Sequence, residues 1–280
     1  MTHLVTGATG ALGQAIAAEL QARGVSAILG ARDPSKLGSD VEARRVDYDD
    51  PASMRDAFAN VDTLLLISSN AANEVRLRQH AAAIDAARDA GVKRIVYTSF
   101  VGAASPGDNP LLEVHHDAER RLQESGVPWV ALRNGLYLDA LPSLLGSFRE
   151  TRAVVLPAGS APVSWISRKD IAAFAVDVLL DETTTNVALN LTAAKARSFP
   201  SILDAVSDKT GVAIDYQEPN DDDYRAMLQQ FGLDAGTATI FSQVCRAMRE
   251  GAVGVDESAF QARLGRPAES VAAFLDRTFE

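Results

Sequence analysis

The chain has 280 residues, 47% hydrophobic and 23% charged, enough apolar material for a substantial core, which excludes wholesale disorder and a small stapled scaffold. Its net charge of −10 provides no basic stripe to neutralise a phosphate backbone, so nucleic acid is excluded as the expected partner. The single cysteine, Cys245, can form no intrachain disulfide, so a buried or idle thiol is expected, and no run approaches the roughly eighteen apolar residues of a membrane span.

From the N-terminus, Leu4-Val5 reads as a buried strand, Ala11 to Arg23 as an amphipathic helix and Ser26 to Leu29 as a second strand. A third strand ends in Arg45-Val46-Asp47-Tyr48. Val61 to Ile67 and Asn73 to Ala90 repeat the strand-helix alternation. Lys93 to Thr98 follows as a strand, then the helical stretch His115 to Glu124, then Pro128 to Arg133 as another strand. At least five strands with helical crossovers predict an α/β fold with a doubly wound, Rossmann-like parallel sheet. Beyond Arg133 the punctuation by Pro142, Pro157, Gly159 and Pro162 breaks the period. Asp170 to Leu180 is again helical and Val187 to Leu191 strand-like, returning the chain to the main sheet. Helices dominate from Phe199. The expected division is a dinucleotide-binding domain over 1–135, to which the chain returns at about 164–192, and a smaller, mixed substrate-side lobe from 136–163 and 193–280. Asn220 and the three aspartates after it are expected to cap a helix rather than bind a metal.

Gly7-Ala8-Thr9-Gly10-Ala11-Leu12-Gly13 directly follows the first strand and opens the first helix. A pyrophosphate must come close to backbone N–H groups at a helix N-terminus, and glycines allow both the tight turn and the approach. Gly7 suits the turn, Gly10 the approach, and Gly13 close packing of the helix. The spacing is one residue longer than Gly-x-Gly-x-x-Gly, and a turn without a ligand is the alternative. After the second strand, Arg32 favours the 2′-phosphate of NADP, while the adjacent Asp33 leaves NADH usable; a solvated loop charge is the competing reading of Arg32. Asp47 is expected to face the adenine or simply to hold a turn.

Thr6 to Gly13, Arg32-Asp33-Pro34, Ala86 to Lys93, Val96-Tyr97-Thr98-Ser99, Leu132 to Tyr137 and Leu264-Gly265-Arg266-Pro267 together resemble the NmrA-like atypical short-chain dehydrogenase/reductases, most of all the bacterial type-two NAD(P)H:quinone oxidoreductases. The likeness covers nearly the whole chain and implies NADPH as the preferred cofactor. It further implies that Ser68, Ser69 and Thr98 flank the cofactor, and that Phe100, Asn134, Gly135 and Tyr137 border the acceptor. Ordinary strand-end turns and a packed loop are the alternatives for these segments.

A short-chain dehydrogenase usually protonates its substrate through a tyrosine with a lysine four residues later. No such pair occurs here; the equivalent positions fall at Leu111 and His115. His115 is the one catalytic candidate, although a structural or ribose-binding role is preferred for it, and His80 is expected to be structural. Trp165 is expected to pack and Asp170 to start a helix. The resulting expectation is direct hydride transfer to a quinone or similar electron-poor aromatic acceptor. The alternative is a redox sensor that binds NAD(P) without turnover. A homodimer stays open. With the glycine motif beginning at Thr6 there is no room for a signal peptide, and a cytoplasmic protein is expected.

Overall fold

The structure is a computed structural model and describes residues 1–193, 195–255 and 259–279. In chain order the first elements are β1 (His3–Val5), α1 (Ala11–Ala22), β2 (Ile28–Ala31), β3 (Ala43–Arg45), α2 (Pro51–Phe58), β4 (Thr63–Leu66), α3 (Asn73–Asp89), β5 (Arg94–Phe100), α4 (Pro110–Glu124) and β6 (Trp129–Asn134). There follow β7 (Leu136–Tyr137), α5 (Leu141–Leu145), α6 (Phe148–Thr151), β8 (Ala153–Val155), β9 (Trp165–Ile166), α7 (Arg168–Leu180) and β10 (Val187–Leu191). The chain ends with α8 (Phe199–Thr210), β11 (Asp215–Gln217), α9 (Asp221–Gln230), α10 (Ala235–Arg249), α11 (Phe260–Leu264) and α12 (Val271–Thr278).

Seven strands form the main sheet in the order β10-β6-β5-β4-β1-β2-β3. The chain runs outward from β1 to β3, then crosses back to lay β4 on the other side of β1. That reversal is the topological switch point at which open α/β sheets bind ligands. Strands β3, β2, β1, β4 and β5 are parallel, with Leu4 opposite both Ile28 and Leu64 and with Leu65 opposite Val96. The expected doubly wound α/β fold is therefore present.

Two compact units share the chain. The first comprises Met1–Phe100, Val114–Arg133 and Arg168–Leu189. All four residues of β4 are buried, as a strand covered on both faces requires. The core beneath the helices gathers Leu4, Ile28, Met54, Phe58, Leu64, Ile84, Ile95 and Leu122. Helix α7 is apolar almost all round and packs on α1, where the Arg23 guanidinium donates to the carbonyl of Ala173.

Elements shift locally from the sequence pattern. Strand β2 begins at Ile28 rather than Ser26, because the Val25 N–H closes the end of α1 on Leu20 and the ladder with β3 engages Gly30 and Ala31. Helix α4 begins at Pro110 rather than at His115, because Asn109 Oδ1 accepts the Leu111 N–H and proline suits the first helical turn.

The second unit comprises Val101–Glu113, Asn134–Ser167 and 190–280. Residues 101–113 belong here because the Val101 N–H donates to the Asn134 carbonyl, Asn109 Nδ2 to the Gln243 carbonyl, and Arg246 pairs with Asp108. Two short parallel pairings, β8 with β11 and β7 with β9, order this unit. Asn220 accepts the Asp223 N–H, so the acidic run does begin a helix as a capped first turn. Trp165 is buried, as is Cys245, whose thiol burial pushes up to about 12.

One ion pair with a buried carboxylate ties three elements of the first unit. Glu119 on α4 accepts two bonds from Arg133 on β6, at 2.9 and 2.5 Å, and a third from the Ser99 hydroxyl on β5 at 2.6 Å. Removing the carboxylate strands the buried Ser99 hydroxyl and the half-buried Arg133, so Glu119→Ala is expected to cost about 1–3 kcal/mol in urea unfolding. Glu119→Gln, which keeps an acceptor, should lose less.

Candidate active site

The loops that follow β1, β2, β3 and β4 leave the sheet at one edge, the carboxyl ends of parallel strands, and β5 ends there too. Gly7 follows β1 with φ +63, a conformation that L side chains rarely adopt. The Ala8 N–H donates to the Gly30 carbonyl and the Gly10 N–H to the Gly7 carbonyl, closing the turn. Gly10 is the N-cap of α1, and no side chain caps that terminus. The N–H groups of Ala11, Leu12 and Gly13 therefore lack intrahelical acceptors at the positive end of the helix dipole, and Thr9, Gly10 and Ala11 are exposed. A methyl group at Gly13 would lie 2.2 Å from the Gly7 carbonyl oxygen and 2.7 Å from Ala8 Cα. Gly13 thus lets the helix close on the loop itself. At Gly10 the nearest atom to a methyl would be the Gly7 oxygen at 3.3 Å, leaving the outward side open.

The strand ends are sewn together just beneath this loop. Thr6 Oγ lies 2.6 Å from the Tyr48 hydroxyl, which donates to the Ile67 carbonyl at 2.6 Å, and the Ile67 N–H returns to Thr6 Oγ at 2.9 Å. Sequence reasoning missed this ring and missed Tyr48. An aromatic residue in a polar segment after a strand was the available signal. Arg32 is exposed and forms no hydrogen bond or ion pair with the described residues. Asp33 beside it is engaged, accepting the Ser35 N–H and hydroxyl, which hold its carboxyl below the usual range. Asp47, beyond the end of β3, accepts the Asp49 N–H at 3.2 Å and pairs with Arg45.

After β4, the Ser68 N–H donates to Thr98 Oγ at 2.8 Å and the Ser69 N–H to His80 Nε2 at 3.1 Å. The Ser69 hydroxyl oxygen is buried and has no partner among the described residues. Thr98, Ser99 and Phe100 are the last three residues of β5, so the strand runs two residues beyond Thr98. Asn134 ends β6. It donates to the Tyr137 hydroxyl at 3.4 Å, while its buried Oδ1 has no partner among the described residues. Gly135 has no room for a side chain, since a methyl there would lie 2.7 Å from the Ser164 carbonyl.

Behind the edge lies a buried polar cluster that the sequence did not disclose. The Tyr97 hydroxyl is 3.2 Å from His80 Nδ1 and 3.0 Å from His115 Nδ1, and Arg76 donates to His115 Nε2 at 2.8 Å. The four side chains come from α3, β5 and α4, and all are at most 4% exposed. Both ring nitrogens of His115 are thereby engaged, and the Phe100 ring lies against its face with centroids 5.9 Å apart. Burial, then the Arg76 charge, holds His80 down to about 3; the same causes, with His80 itself, lower His115. Both rings are neutral in the fold, where a charged pair beside Arg76 would be costly.

Unfolded histidines bind protons below about pH 6.5, whereas these two do not until far lower, so the unfolded state binds more protons and stability falls as pH falls. For His80 the slope is expected to approach about 1.4 kcal/mol per pH unit as pH falls from 6.5 to 4.5, and His115 adds to it in the same direction. Urea midpoints across that window check it, with His80→Gln and His115→Gln each flattening the slope. A slope that neither variant changes would contradict the buried neutral pair.

The family model described as NAD(P)H-binding matches residues 7–182. Quinone oxidoreductase 2 of Escherichia coli is 29% identical over 98% of each chain. An NmrA-like family domain-containing oxidoreductase of Aspergillus flavus is 28% identical over 94% of this chain and 87% of its own. The crystal structure of the Citrobacter sp. triphenylmethane reductase complexed with NADP(H) superposes with a TM-score of 0.88 at 30% identity, covering 99% of both chains. Glycine loop, sheet order and these likenesses agree: the chain belongs to the NAD(P)H-binding family and is similar to NmrA-like proteins within it.

Proposed function

We propose that the protein is an NAD(P)H:quinone oxidoreductase-like reductase that prefers NADPH and acts on a quinone or similar electron-poor aromatic acceptor. The observation that carries the cofactor half is the uncapped, exposed N-terminus of α1 at the switch point, beside a buried Ser69 hydroxyl that has no partner among the described residues. A pyrophosphate fits these donors, with the turn at Gly7, the open side of Gly10 and the N–H groups of Ala11, Leu12 and Gly13 receiving it. Thr9 flanks that turn, and Ser68, Ser69 and Thr98 lie toward the nicotinamide end. Arg32 takes the 2′-phosphate, while Asp33, already held by Ser35, leaves that charge unopposed; Asp47 borders the adenosine side. Bound NADPH supplies the hydride.

The acceptor half rests on likeness to the quinone and dye reductases, with Phe100, Asn134, Gly135 and Tyr137 as the bordering residues. His115 directs one nitrogen to Arg76 and the other to Tyr97, so we assign it to holding the Phe100 platform rather than to proton donation. An acceptor whose reduced form is a stabilised hydroquinone anion takes its proton from water and needs no tyrosine acid. The chain's contribution is mainly to bind and orient.

The test is NADPH and NADH oxidation at 340 nm by purified protein, with and without benzoquinone or a naphthoquinone. Protein-dependent oxidation that Gly10→Val abolishes is expected. Arg32→Ala should raise KM for NADPH about tenfold, the loss of one charge-assisted contact, and leave NADH unchanged. Tight NADPH binding without turnover on any quinone or dye would overturn the reductase and leave a cofactor-binding sensor.

A further inference from the structure

Two consecutive backbone donors after β4 are held from different elements. The Ser68 N–H is held by Thr98 on β5, and the Ser69 N–H by His80 on α3. The Ser69 side chain is treated differently: its oxygen is buried yet has no partner among the described residues. Native folds pair nearly all buried polar atoms, so a hydroxyl left open at the carboxyl edge of the sheet points to a ligand that completes the pairing.

The orientation of His80 follows from its neighbours. An N–H facing Nε2 requires a lone pair there, so the neutral ring carries its proton on Nδ1. Nδ1 faces the Tyr97 hydroxyl at 3.2 Å, and that oxygen accepts the proton's hydrogen bond. Arg76 imposes the same tautomer on His115, whose Nδ1–H also points at Tyr97. Tyr97 is thus a double acceptor clamped between two rings and fully buried. With β5 behind it, His80 is a rigid strut from the sheet to the turn. Its ring is 1% exposed, and the charged groups around it are Arg76 and Asp117.

We infer that His80 is a positioning residue for the cofactor: its Nε2 fixes the Ser69 N–H and so aims the Ser69 hydroxyl at the bound nicotinamide nucleotide, with Tyr97 setting the tautomer. This rests on the reading above that Ser69 borders the cofactor. His80 itself touches no reacting atom. Its effect reaches the ligand only through the backbone of the turn.

The test measures NADPH dissociation constants by ligand fluorescence with the full chain, at a temperature where each variant is folded by circular dichroism. Ser69→Ala and His80→Ala should each weaken NADPH about tenfold, and the double variant should be no weaker than either single one, because both changes break one path. His80→Gln, whose amide oxygen can accept the Ser69 N–H, should recover binding to within about twofold of wild type. A purely structural His80 would lower the melting temperature but leave the dissociation constant unmoved. That result, or additive losses in the double variant, would overturn the inference. Wild-type protein that binds no NADPH would instead overturn the cofactor reading itself. Should His80→Ala not fold, long-range proton–nitrogen NMR of the wild type decides: a bare Nε2 on His80 is expected, and a proton there would overturn the strut.

Discussion

The approach of helix α1 to the loop after β1 is the constraint on which the candidate site depends. At Gly13 even a methyl group would lie within 2.2 Å of the Gly7 carbonyl oxygen, so no other residue lets the helix sit so low on the turn. That closeness directs the first free N–H groups of α1 outward beside the switch point between β1 and β4. It also requires the strand ends below to hold a fixed register. The ring through Thr6, Tyr48 and Ile67 meets that need, because each member is bonded to the next and the three belong to different segments of the sheet edge.

Behind this edge the fold buries polar side chains instead of avoiding them. Arg76, His80, Tyr97 and His115 are nearly inaccessible, and the cost of burying them is offset only because each ring nitrogen and the phenol have partners. The arrangement works with neutral histidines and with protons on defined nitrogens, which gives it direction as well as stability. One end of the network holds the Ser69 amide, and the other supports the Phe100 ring. A second buried group, Ser99–Glu119–Arg133, locks β5 and β6 to α4 without sharing atoms with the first. The same strand, β5, therefore feeds both networks, from Tyr97 and Ser99, two residues apart and so on the one face that α4 covers.

What the sequence disclosed was local. The glycine spacing, the strand before it and the helix after it are neighbours along the chain, and so was the Asn220 cap; both were legible from residue order alone. The β2 boundary shifted by two residues because its start depends on where pairing with β1 and β3 begins, Ile28 lying opposite Leu4 and Leu29 opposite Ala43, a register that a short apolar run does not reveal. The α4 start was legible in Asn109-Pro110, a cap followed by a proline, but the helical period becomes evident only later. The His80–Tyr97–His115 cluster was out of reach, since residues 80, 97 and 115 meet only when α3, β5 and α4 pack. A histidine's role is set by the two partners of its ring, and neither partner lies near it in sequence. Arg32 beside Asp33 was equally open on paper; in the fold Ser35 occupies the acid and the base stays exposed.

The central claim is that the carboxyl edge at the β1–β4 switch point is built to hold NADPH. A crystal structure of the protein grown with NADPH tests it most directly. The account predicts the pyrophosphate against the N–H groups of Ala11, Leu12 and Gly13, the 2′-phosphate within reach of Arg32, and the Ser69 hydroxyl within hydrogen-bonding distance of the nucleotide. A nucleotide bound elsewhere, or a glycine loop that stays empty at saturating NADPH, would contradict it.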